Sequence, residues 1–86
     1  MIAGKLFNQA IATVQQQGFE VRYEHLGGSG TGYCRVGSRR WVVVDVAQPV
    51  EEQLEHLAAA IASEPLPANA ELSEELRELV KRNEVH

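Results

Sequence analysis

The chain has 86 residues, 8 basic against 12 acidic side chains, 44% hydrophobic residues and one cysteine. One small domain fits that length and two do not. No apolar run approaches the roughly 18 residues of a membrane span, and a lone cysteine excludes both an internal disulfide framework and a cysteine-based zinc site. The N-terminus lacks a basic region followed by an apolar block, so no signal peptide is expected and the default compartment is the cytoplasm.

Residues 3–17 read as a helix. Leu6, Phe7, Ala10, Ile11 and Val14 recur at spacings of three and four, which places them on one face. Gly18 supplies the left-handed residue that ends it. Residues 19–24 then alternate, with Phe19, Val21 and Tyr23 expected inward and Glu20, Arg22 and Glu24 outward. The glycine-rich run 27–32 reads as a flexible connection or a glycine bulge between strands. It is no P-loop, because no Gly-Lys-Ser/Thr and no helix follow it, and a dinucleotide fingerprint would also need that helix.

Tyr33 to Val36 and Trp41 to Val46 form a hairpin spanning 33–46 around Gly37-Ser38-Arg39-Arg40. The second run, rich in valine, predicts a central strand buried on both faces. Pro49 suits a first helical turn, and Val50, Leu54, Leu57, Ala58 and Ile61 predict a helix to about residue 63 with one core stripe. Glu64-Pro65-Leu66-Pro67 stops it. A last helix is expected over 70–83, with Leu72, Leu76, Leu79 and Val80 on one face.

The fold class is therefore α+β. The expected core is α-β-β-β-α over residues 1–64, with a small, mostly antiparallel sheet packed on helices. Residues 65–86 add a proline-containing linker and a C-terminal helix, packed on the same domain or on a partner.

Charge divides the chain. Residues 1–44 carry five basic and two acidic side chains, net +3, whereas residues 45–86 carry three basic and ten acidic ones, net −7. Such asymmetry suits solvated helical faces, or association of a basic half with an acidic partner, a second copy included.

The residues that could carry chemistry are few. Cys34 beside Arg35 would need a lowered pKa and a base, His25 or His56, to act as a nucleophile; a free cysteine in a strand more often fills the core. Glu52 and His56 lie four apart on a helix, a spacing that can bind a metal if His25 supplies a third ligand. More commonly such a pair is a solvated contact, and His86 is terminal and expected to fray. Arg35, Arg39 and Arg40 with Tyr33 and Trp41 make a basic, aromatic hairpin of the kind that holds nucleic acid. The element order resembles the double-stranded RNA-binding domain in topology. That domain grips phosphate with basic residues at the start of its second helix, where this chain has Glu51-Glu52, so nucleic acid is disfavoured.

Taken in order, Phe19-Glu20-Val21-Arg22-Tyr23, the glycine run, Trp41-Val42-Val43-Val44-Asp45 and Glu51-Glu52-Gln53 leading to Leu57-Ala58 resemble two groups. One is short bacterial proteins of unknown function. The other is the core of zinc metallopeptidases of the ImmA/IrrE type, over residues 5–63. Those enzymes carry His-Glu-x-x-His after a Leu-Ala pair. Here Ala59 and Ser63 stand at the histidine positions and Ala60 at that of the glutamate. Neither alanine can bind zinc or activate water, and the chain ends before any distal third ligand. The resemblance implies a peptidase-like scaffold without its chemistry, keeping at most peptide binding. The expectation is a non-catalytic cytoplasmic interaction module with no cofactor, whose partner is a protein, a peptide or a second copy in a homodimer. The alternative is small-molecule or thiol chemistry at Cys34.

Overall fold

The computed structural model describes residues 2–84. The elements run α1 (Ile2–Gln16), β1 (Phe19–Glu24), β2 (Gly32–Val36), β3 (Arg39–Asp45), α2 (Val50–Ala62) and α3 (Glu74–Glu84). His86 lies outside the described residues.

The helices form where apolar side chains repeat at helical spacing. Leu6, Ala10 and Val14 of α1 are buried, and Gly18, at φ 93°, turns the chain out of the helix. In α2, Leu54, Leu57, Ala58 and Ile61 are buried as the stripe predicts, and Ala60 joins them. α3 begins at Glu74, four residues later than expected, behind Ser73: the Ser73 Oγ accepts from the Leu76 N–H at 3.4 Å, and its N–H donates to Gln9 Oε1 at 3.2 Å. Leu76 and Val80 then seal α3 onto the common core within this chain.

The sheet is mixed, where a mostly antiparallel one was expected. Its order is β1-β3-β2, with β3 central, antiparallel to β2 and parallel to β1. The chain leaves β1, skips one strand position, returns along β2 and turns at Gly37-Ser38 to fill the gap with β3. Gly37 has φ 62° and Ser38 does not share that region, the pattern of a type II′ hairpin turn.

The skipped position explains the glycine run, which spans from β1 to β2 by a path hydrogen-bonded to Asp45. Gly27, Gly28 and Gly30 adopt positive φ, and the loop wraps around Asp45, which is fully buried at the end of β3. Asp45 Oδ1 accepts from the N–H groups of Leu26 (3.1 Å) and Ala47 (3.0 Å), and Oδ2 from that of Gly30 (3.0 Å). Thr31 closes the arrangement: its Oγ1 accepts from the Asp45 N–H at 2.9 Å, and its N–H donates to Gln48 Oε1 at 2.9 Å. Burial alone would push the Asp45 carboxyl up. The N–H groups of Gly30, Ala47, Leu26 and Gly28 outweigh that and hold it below the usual carboxylate value.

The helices cover one sheet face. Val42 and Val44 point into them and are each 1% exposed. Trp41 and Val43 on the opposite face are only half-buried, so β3 is central without being covered on both sides. There the guanidinium groups of Arg22 and Arg39 lie 4.3 Å and 4.6 Å from the centre of the Trp41 ring and shelter it in part.

Candidate functional site

A cleft opens where the end of α2 faces β2. Its volume is about 280 Å³, and Phe19, Tyr33, Cys34, Arg35, Arg40, Ser63 and Glu64 line it. The strand register explains the membership. Arg35 is paired with Arg40 and Tyr33 with Val42, so Tyr33, Arg35 and Arg40 share the helix-facing side. Phe19 is paired with Arg40 across the other ladder and meets the Tyr33 ring edge-on at 6.3 Å.

Two guanidinium groups converge there on one carboxylate. Arg40 Nη2 lies 3.3 Å from Glu64 Oε1, and Arg35 Nη2 bonds to Glu64 Oε2. The Glu64 side chain is 11% exposed, against 58% for Arg35 and 33% for Arg40. The three groups together carry one uncompensated positive charge. Arg40 is fixed further by donating Nη1–H to the Gln17 carbonyl at 3.0 Å, while its Nε is buried without a partner among the described residues.

Gln17 holds the helix-side wall. Its Nε2 donates to the carbonyls of Ile61 (2.9 Å), Glu64 (3.2 Å) and Pro65 (3.3 Å). One buried amide thereby ties the end of α1 to the end of α2 and positions Glu64. Ser63 is exposed at the cleft and donates its hydroxyl to the Ala60 carbonyl at 2.6 Å, whereas Ala59 is half-buried one turn earlier.

β2 is an edge strand with every residue exposed. The hairpin turn makes Val36 and Arg39 a hydrogen-bonded pair, and alternation gives the same role to Cys34 and Gly32. The N–H and C=O groups of Tyr33 and Arg35 therefore face away from β3, along the free edge.

The residues expected to carry chemistry divide into separate groups. Arg35, Arg40 and Cys34 come together at the cleft. Cys34 is exposed, which corrects its assignment to the core: it sits opposite Trp41, on the sheet face no helix covers. Arg39 is on that same outer face, paired with Glu20 at 3.0 Å. His25 is exposed in the β1–β2 connection, and Glu52 and His56 are exposed on α2. Among the described residues no group of three or more His, Cys, Asp or Glu side chains is placed to hold a metal ion, and no helix is long and apolar enough to cross a membrane.

Glu64 and Gln17 were not singled out from the sequence. A lone glutamate before a proline and a third consecutive glutamine carry no local signal. Only the packing of α1 against α2 beside the hairpin gives them partners.

Comparison with family models, curated proteins and solved structures returned no match.

Proposed function

We propose that the protein is a non-catalytic interaction module that binds an extended peptide segment by adding it to the free edge of β2. The observation that carries this reading is the juxtaposition of an unpaired edge with a cleft on one side of it. Strand addition uses main-chain hydrogen bonds for affinity and alternate side-chain pockets for specificity. The outward N–H and C=O groups of Tyr33 and Arg35 supply the first, and the cleft at Ser63 and Glu64 supplies the second. Its volume of about 280 Å³ falls at the lower limit of the roughly 300–1,000 Å³ typical of small-molecule sites. That is room for one or two side chains of a longer ligand. The scaffold resemblance agrees with it, because the positions of the absent His-Glu-x-x-His motif lie along the same end of α2.

Selection from a random heptapeptide library, followed by amide spectroscopy of the complex, tests the reading. Bound peptide should shift the Tyr33 and Arg35 amides and slow their exchange. Arg35→Pro, which removes an edge N–H that β3 does not use, should abolish the shift and slowed exchange of the Tyr33 amide. Binders that leave these two amides unchanged, or no binders at all, would refute edge addition.

A further inference from the structure

Glu64 occupies the cleft as a ligand would. It comes from the segment just after α2 and is nearly buried, and it neutralises one of two arginines that the β2–β3 register brings side by side. A buried carboxylate between two guanidinium groups is ordinary as a salt bridge. Three further facts are less so. The pair of arginines keeps a net positive charge, and Arg40 Nε is a buried donor with no acceptor among the described residues. Arg35 also projects from a backbone position whose hydrogen-bonding groups face the free edge.

An added strand would place alternate side chains on the helix-facing side. The side chain directly opposite Arg35 would enter beside Arg35, Arg40 and Glu64. An acidic side chain there meets the uncompensated charge and the fork-shaped donors that suit a carboxylate. A basic one meets two like charges, and a neutral one leaves Glu64 where it is.

We propose that the β2 edge selects acidic extended peptides. A peptide carboxylate opposite Arg35 shares or replaces the contacts of Glu64, which acts as an internal stand-in and lowers the affinity for such peptides. This rests on the edge-addition reading and names the class of segment that reading leaves open.

Two labelled, end-capped heptapeptides test it: Thr-Val-Thr-Glu-Thr-Val-Thr and the same peptide with Gln in place of Glu. Fluorescence anisotropy against the full chain should show the acidic peptide binding about tenfold or more tightly, with the preference shrinking as salt rises. Glu64→Gln should tighten the acidic peptide and leave the neutral one little changed, whereas a residue that only braces the cleft would weaken the neutral one. Arg35→Gln, which keeps the edge backbone groups and removes the exposed guanidinium, should erase the preference, with circular dichroism confirming that the variant is folded. Equal binding of both peptides overturns the acidic selection, and shifts confined to the Tyr33 and Arg35 amides would then show that edge addition survives it. Weaker acidic binding by folded Glu64→Gln overturns the stand-in role. Failure of both peptides to bind removes the edge reading and the selection together.

Discussion

Gln17 is where the architecture of the site can be tested most sharply, because its amide has one satisfied end and one unsatisfied end. The Nε2 end donates to three carbonyls, the closest at 2.9 Å, and the Oε1 end is buried with no partner among the described residues. Gln17→Leu keeps the volume and removes both ends. Losing one short and two longer hydrogen bonds costs about 2 kcal/mol, at roughly 1 kcal/mol for a good bond and less for a long one. Removing the unpartnered oxygen returns about 1 kcal/mol. The net expectation is a loss of about 1 kcal/mol. Gln17→Glu keeps the shape and turns the donor into an oxygen aimed at three carbonyls. It loses the same bonds and buries a charge, for about 3–5 kcal/mol. A chain of this length has about 4–13 kcal/mol in total, so Gln17→Glu should be near unfolding at neutral pH. The introduced carboxyl is easier to bury neutral, so its folded pKa lies above its unfolded one. Stability is then greatest below the unfolded value of about 4.3 and is lost as pH rises through the folded value. Urea denaturation at neutral pH and near pH 4 measures both variants. Equal stability of Gln17→Leu and Gln17→Glu at neutral pH, or a Gln17→Glu variant that weakens on acidification relative to the parent, would refute the donor assignment.

The remaining predictions concern the elements around the site. Leu57→Asp should prevent folding, because Leu57 is 0% exposed at the centre of the core; Ala59→Asp, on the half-buried side of α2, should fold with a modest loss in a circular dichroism melt. Gly18→Ala should cost about 1–2 kcal/mol from its positive φ alone. It should also loosen Arg40, since an added Cβ would lie 2.9 Å from Arg40 Nη1; Gly4→Ala, with open space in α1, should instead stabilise slightly by urea titration. The Asp45 carboxyl is held below its usual value. Its contribution is therefore complete above the ordinary carboxyl pKa and disappears as pH falls through the lower folded value. Leu26 and Gly30 amide shifts should stay constant down to about pH 4 and move only below it; movement at higher pH would contradict the anchoring. Cys34 should be alkylated in the folded state at a rate close to that of the urea-unfolded chain, because its thiol is exposed; strong protection would return it to the core.

The helices were legible because their information is local. The stripes of α1 and α2 recur at helical spacing, and burial follows them almost residue for residue. β3 was legible as central from its valine run, but covering on both faces was not a valid extension of that run. Trp41 is half-sheltered by Arg22 and Arg39 instead, a pairing that needs strands adjacent in space. The parallel pairing of β1 with β3 had no local signature, because either neighbour satisfies the same alternation. Once β3 is central and β2 is the edge, the exposure of Cys34 follows, and the mistaken burial came from reading a strand residue without knowing its strand's place. The course of the glycine run has no local signature for a related reason. Its hydrogen bonds converge on Asp45, whose carboxylate looks in the sequence like the polar end of a strand. Arg35 and Arg40 were picked out as basic residues, but their partner Glu64 lies 24 or more residues further along the chain and is found only through the packing.

The chemistry of the cleft is set by which wall supplies its functional groups. On the proposed scaffold relationship, a metallopeptidase would place its donors on the α2 wall. In this chain that wall presents half-buried Ala59 and a Ser63 hydroxyl committed to the Ala60 carbonyl. The functional groups come from the strand wall instead, as the guanidinium groups of Arg35 and Arg40. Strand addition needs only an unpaired edge, and it asks for no donor on the helix. A charge on the strand wall is then read by the side chain opposite it in the added strand, independently of any group on α2. It also makes Glu64 the decisive residue: if it braces the cleft its removal should weaken a neutral ligand, and if it is a stand-in the neutral ligand should be unchanged while acidic ones gain.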